Sequence, residues 1–157
     1  MPGSKFIIKE AKPKVSLNSI MEQIAALNKR KTVIQIFDPD YIISRSHLLG
    51  AYIDAELAFN SGSNVSKNTA TEMLLFSAMT KQIDEAIKKI GAKHGKNIVL
   101  FSNSVTAYNK IKLLLADIKD FKRSKSEMVS KAKELGVKIK RDLDTSIFQE
   151  MAASRLE

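Results

Sequence analysis

The 157 residues include no cysteine and no tryptophan, only three prolines and two histidines, and few aromatic side chains, 6% in all. The missing cysteines exclude a disulfide framework, thiolate chemistry and zinc sites built on sulfur. His47 and His94 are far apart, with no HExxH spacing and no neighbouring ligands, so no metal site is expected and each reads as a structural residue. Nothing resembles the GxSxG elbow of a serine hydrolase, and no base and orienting acid stand beside a candidate nucleophile. Long apolar runs are absent too: none approaches about 18 residues. The opening MPGSKFIIKEAKPK lacks the roughly 7 to 15-residue apolar centre of a signal peptide. The chain reads as a soluble, intracellular, cytoplasmic protein without a membrane partner.

Positive charge is abundant. The formal charge is +9, with 26 Lys+Arg against 17 Asp+Glu, and it is concentrated in one half. Residues 1–80 carry 9 basic and 7 acidic side chains, whereas residues 81–157 carry 17 and 10. Such a surplus favours an acidic partner, nucleic acid above all, through salt-sensitive phosphate contacts. Readers of single-stranded RNA usually add aromatic platforms, and only Tyr41, Tyr52 and Tyr108 are obvious candidates here.

Weaker chemical signals have simpler explanations. Gly91-Ala92-Lys93-His94-Gly95-Lys96 has three residues between its glycines where a phosphate loop has four, and no Ser or Thr follows. It reads as a helix C-cap and turn, with Gly91 left-handed. Asp38 and Asp40 around Pro39 read as turn formers, and Asp54 with Glu56 as a solvated helix face. No catalytic residue and no cofactor is expected.

Periodicity places a first strand at Phe6 to Lys9. A helix follows, starting between Val15 and Ser19 with a Ser19/Glu22 capping box and ending before Lys29. Strands are expected at Lys31 to Phe37 and Asn97 to Phe101. A helix capped by Ser44 or Ser46 runs to a loop at Asn60 to Asn68. The segment Met73 to Met79 should be buried around most of its girth, and from Ile83 the spacing of Ala86, Ile87 and Ile90 marks a second helix after a break near Thr80. Further on, Tyr108, Ile111, Leu115 and Ile118 fit one long helix face. A helix from Ser126 to Leu135, a short strand at Val137 to Lys140 and a last helix capped by Asp144 or Thr145 complete the chain. The order predicts an α/β or α+β layer fold over a single domain, 1–157, with a small mainly antiparallel sheet of three to four strands and about seven helices.

Two stretches carry a resemblance. IISRSHLLGAYIDAELAF followed by NTATEMLLFSAMTKQIDEAIKKIGAK resembles the KEOPS-complex subunits of the TPRKB family, which bind that complex's small atypical kinase. The matching residues are His47-Leu48, then Glu72 to Met79, the junction Lys81-Gln82-Ile83, and Ala86-Ile87 with Gly91. Lys81 stands where the family has arginine, and Met79 or Thr80 where it has a small glycine. The resemblance implies a non-catalytic subunit that docks on the kinase and recruits tRNA through its single-stranded 3′ CCA end. The complex installs threonylcarbamoyladenosine next to the anticodon, with the threonylcarbamoyl-transferase subunit an indirect partner. On this reading Lys67, Lys81, Gln82, Ile83 and Lys88 contact RNA, and Leu48, Leu49, Tyr52 and Ile53 contact the kinase. A protein-interaction module without RNA contact and a small RNA-modifying enzyme are the competing readings.

Overall fold

The structure is a computed structural model that describes residues 6–29 and 31–156. The chain divides into two compact units, each assembled from two segments, Met1–Pro39 with Gly91–Phe121 and Asp40–Ile90 with Lys122–Glu157. Among the described residues there are seven α-helices and a four-stranded antiparallel sheet, an α+β fold as the sequence predicts.

The first unit holds the sheet. Strand β1 (Ile7–Pro13) lies between β3 (Ile98–Ser102) and β4 (Leu115–Asp120), and β2 (Ile34–Phe37) borders β3, giving the order β2-β3-β1-β4. The pairs are antiparallel, with Ile8 opposite Phe101 and Ile36 opposite Leu100. Helices α1 (Leu17–Leu27) and α5 (Val105–Ile111) bring Ile20, Ile24, Ala107 and Ile111 against Ile34, Ile36, Ile98 and Leu100. The outer edge of β2 is closed by a side chain: Asn28 accepts a hydrogen bond from the Ile34 N–H at 2.8 Å and donates to the Ile34 carbonyl at 2.9 Å. An amide standing in for a neighbouring strand blunts an edge that would otherwise invite another chain.

Several expected boundaries move. The helix α1 is capped by Ser16, whose hydroxyl accepts from the Ser19 N–H, so Ser19 is inside the first turn rather than at the cap. The strand expected from Lys31 starts at Ile34. The long helix expected through Ile118 ends at Ile111, and after a 3-10 turn the chain becomes β4. Pairing with the open edge of β1 satisfies backbone groups that a longer helix would leave unpaired on that edge. Gly91 is not left-handed; it forms an isolated bridge to Phe37, and Gly95 takes positive φ in the turn that follows. Asp38 is more than a turn former. Its carboxylate is fully buried and receives Lys93 Nζ at 2.9 Å and Lys96 Nζ at 2.9 Å, fixing the 91–96 turn.

The second unit is helical: α2 (Arg45–Ser61), α3 (Thr69–Ala78), α4 (Ile83–Ile90), α6 (Lys125–Glu134) and α7 (Leu143–Ala153). Ser44 caps α2, which runs to Ser61 and ends on left-handed Gly62. Its core-facing side chains are mostly small, with Ala51, Ala55 and Ala58 beside Leu48. Small residues let α3 pack close. Gly50 does the same for α7, since a Cβ there would come within 2.4 Å of the Phe148 ring. In α3 every residue from Glu72 to Ala78 is buried, as expected for Met73 to Ala78, whereas Met79 lies past the helix end and is half-buried. Val137 to Lys140 forms no strand, and α7 is capped by Asp142 rather than Asp144 or Thr145. No helix among the described residues is long and apolar enough to cross a membrane.

Candidate functional site

The turn between α3 and α4 is built by closing the last carbonyls of α3, which a helix end leaves without intrahelical partners. The Thr80 N–H donates to the Leu75 carbonyl at 3.2 Å and the Met79 N–H to the Phe76 carbonyl at 3.0 Å. The next two carbonyls are met by side chains. His47 Nε2 donates to Ser77 O at 2.8 Å and Lys89 Nζ to Ala78 O at 3.2 Å. His47 keeps that tautomer because its Nδ1 accepts the Ile43 N–H at 3.1 Å. Complete burial holds its pKa down at about 4, against the opposing hydrogen bond to Ser77, with Lys89 lowering it further. His47 is thus a neutral strut between the start of α2 and the end of α3.

Met79 is the left-handed residue of this turn, at φ 58° and ψ 45°. It occupies the place where the resemblance expects glycine, and a side chain there costs about 1 to 2 kcal/mol in backbone strain. Met79→Gly is therefore expected to leave urea stability unchanged or raise it by up to about 1 kcal/mol, while Met79→Val lowers it, because β-branched side chains are least tolerant of positive φ.

Beyond Met79, Thr80 Oγ1 accepts the Gln82 N–H at 3.1 Å and donates to the Glu85 carboxylate at 3.0 Å. Around this turn lies a cleft of about 450 Å³ lined by Met79, Thr80, Lys81, Gln82, Glu85, Lys89 and Ser154. Among the described residues, neither the Lys81 ammonium nor the Gln82 carboxamide has a hydrogen-bond partner, so both are available to a ligand. Asp84 and Glu85 sit in the first turn of α4 and offset the positive helix end. The favourable charge in the cleft therefore comes from the lysines rather than from the helix dipole.

The expected RNA-contacting residues do not all meet. Lys81 and Gln82 line the cleft, and exposed Ile83 opens α4 beside them, with exposed Lys88 further along the same helix. Lys67 lies before α3, at the opposite end of a ten-residue helix, roughly 15 Å away by helix rise. Its loop is set by Glu72, whose carboxylate accepts the Val65 N–H, the Ser66 N–H and the Ser66 hydroxyl and pairs with Arg155 at 2.6 Å. Burial pushes the Glu72 pKa up, but the bonds from Ser66, Val65 and Arg155 outweigh it and hold the carboxyl below its usual range. Lys89 and Ser154, also in the cleft, were not expected from the sequence. Lys89 could have been suggested by its place in the last turn of α4, whereas nothing in the local pattern marks Ser154.

On α2 the expected kinase contacts separate by exposure. Leu48 has no exposed surface and belongs to the core. Leu49 and Tyr52 are partly buried and Ile53 is 54% exposed. Leu57, absent from the expected set, is 59% exposed. Leu49, Ile53 and Leu57 follow one another at four-residue spacing and form an apolar stripe. No group of three or more acidic, histidine or cysteine side chains that could hold a metal occurs among the described residues.

Residues 14–153 match the protein family described as kinase binding protein CGI-121. A 51-residue stretch, 32% of this chain, is 47% identical to the KEOPS complex subunit Cgi121 of Pyrococcus abyssi (strain GE5 / Orsay), and the match spans 30% of that relative's length. Because the family match extends over most of the sequence and through both units, this chain belongs to the CGI-121 family of kinase binding proteins.

Proposed function

We propose that the chain is a non-catalytic subunit of a KEOPS-type complex, docking on the complex's small atypical kinase through α2 and receiving the 3′ CCA end of tRNA at the α3–α4 turn. The observation that carries the reading is the family match over residues 14–153. The stripe of exposed Ile53 and Leu57 with half-buried Leu49 supports the kinase contact, since a helix that keeps large apolar side chains in water has surface to lose to a partner. The RNA contact is supported by Lys81 and Gln82, which line one cleft without internal partners. Lysine there supplies a point charge to phosphate and lacks the planar fork of the family's arginine, so affinity at this position is charge-driven and salt-sensitive. In this role the chain supports threonylcarbamoyladenosine formation, and the transferase subunit is reached only through the assembly.

Binding of tRNA and of the same tRNA trimmed of its CCA, across a salt series, tests the RNA part. The expected result is a loss of about tenfold or more on trimming, with Lys81→Glu abolishing the difference. Equal affinity for both tRNAs refutes this assignment of Lys81 and Gln82. The acidic first turn of α4 favours a second reading in which the chain is a protein-interaction module alone. That reading predicts no tRNA binding by the isolated chain at moderate salt.

A further inference from the structure

We infer that the docking face on α2 extends onto α7 and is built for a positively charged protein surface, an apolar anchor bordered by lysine or arginine. The inference rests on the kinase-docking reading above and adds to it the chemistry that the kinase must present. Gly50 joins the two helices: a Cβ there would lie 2.4 Å from Phe148 Cε1, so the Phe148 ring lies directly against the α2 backbone. The ring is nonetheless 40% exposed. On α2, Ile53 and Leu57 follow Gly50 by three and seven residues, spacings that keep all three on one side of the helix. Phe148 therefore continues their stripe across the helix pair, with exposed Asp144 and Ala152 one turn to either side of it on α7.

Charge on this surface runs against the rest of the chain. The sequence as a whole is +9, yet residues 46–61 and 142–154 contain no lysine or arginine, and neither does α3, which packs on both helices. Besides Asp142, which caps α7, the surface carboxylates are Asp54 and Glu56 on α2 and Asp144 and Glu150 on α7. All four are exposed or half-buried, and none has an ion pair among the described residues. At about 100° per residue, Asp54 and Glu56 fall on opposite borders of the Ile53 and Leu57 stripe. The neighbouring cations do not reverse this sign. Arg155, whose charge reaches Asp54, is bonded to buried Glu72 at 2.6 Å. Arg45 opens α2 about two turns before Ile53, Arg141 lies beyond the cap of α7, and Lys67 belongs to the loop before α3. An acidic border repels phosphate, which turns RNA away from this face. A second copy of the chain fits no better, because a two-fold contact sets the same acidic border against itself. A partner protein with basic side chains around an apolar anchor satisfies both parts of the surface.

The test is affinity of the full chain for the kinase subunit of the proposed complex, over a salt series, for wild type, Phe148→Ala, Glu56→Lys/Asp144→Lys and Ile53→Asp/Leu57→Asp. Each altered side chain is exposed or half-buried, and circular dichroism with the urea midpoint verifies that each variant is folded. Phe148→Ala is expected to lose about tenfold in affinity at every salt concentration. The charge-reversed variant is expected to lose about tenfold or more at low salt, a deficit that shrinks as salt screens the repulsion. Wild-type affinity in both, where Ile53→Asp/Leu57→Asp loses binding, would overturn the inference and leave docking on α2 standing. Wild-type affinity in all three would overturn both. Sedimentation of the isolated chain tests self-association: a dimer that Phe148→Ala dissociates would assign the face to a second copy and likewise overturn the inference.

Discussion

Glu72→Ala is expected to cost about 3 to 5 kcal/mol of unfolding free energy, the magnitude of a buried ion pair deprived of one partner. The carboxylate has no exposed surface, and it is the shared acceptor for two backbone N–H groups, one hydroxyl and the Arg155 guanidinium. Its removal takes the acceptor from the two N–H groups and the guanidinium together, while the Ser66 hydroxyl keeps the Asn68 carbonyl at 3.1 Å. The Val65 and Ser66 amides lose their partner in the loop before α3, and Arg155, already stacked 3.9 Å above the Phe76 ring, is left as a mostly buried cation. Ser66→Ala removes one bond and should cost only about 1 kcal/mol. The exposed Lys131–Glu134 pair provides a control, worth less than about 0.5 kcal/mol. Urea denaturation checks the ranking, and a Glu72→Ala cost below about 1 kcal/mol would contradict the central position given to this carboxylate.

His47 makes the unfolding free energy fall by about 3 kcal/mol between pH 7 and pH 4. Its folded pKa of about 4 lies below the ordinary 6.5, so between these values the unfolded chain binds the extra proton and stability rises with pH. The stabilisation is complete above pH 6.5 and is lost as the pH falls toward 4, at about 1.36 kcal/mol for each pH unit. Asp54, pushed up by burial against the influence of Arg155, works in the opposite direction above its ordinary value. Glu72, held low, adds its own loss in stronger acid, below the ordinary glutamate range. A His47→Phe variant should be less stable at pH 7, because the Ile43 N–H and the Ser77 carbonyl lose their partner. Its stability should also lose the His47-dependent fall between pH 6.5 and 4, leaving only what the carboxylates contribute. A wild-type slope retained in that variant would assign the titration to another group.

These two residues illustrate how far the sequence can be read. Local signals are legible: Ser44 at the start of α2, the apolar run that became buried α3, and the break at Thr80 all follow from capping and spacing over a few residues. Interactions made across long separations are not. Asp38 reaches Lys93 and Lys96 over more than fifty positions, and Glu72 reaches Arg155 over 83, with nothing in either neighbourhood to mark the partner. The strand β4 was hidden because Tyr108, Ile111, Leu115 and Ile118 keep helical spacing, while the edge of β1 that claims Leu115 to Asp120 is supplied from the other end of the chain. On α2 large apolar residues occur on several faces, and the sequence alone could not rank Leu48 against Ile53. The buried face was settled by Ala51, Ala55 and Ala58, whose small size permits close packing with α3. Leu57 then stands out as surface.

The most direct test of the docking account is the affinity of the full chain for the kinase subunit of the proposed complex, compared between wild type and Ile53→Asp/Leu57→Asp. Both side chains are more than half exposed, so the variant should retain its circular dichroism and urea midpoint. The account predicts a loss of affinity of at least about a hundredfold with the fold intact, the scale of a central apolar contact replaced by charge. An intact variant that binds the kinase as tightly as wild type would show that the kinase does not dock on this face of α2.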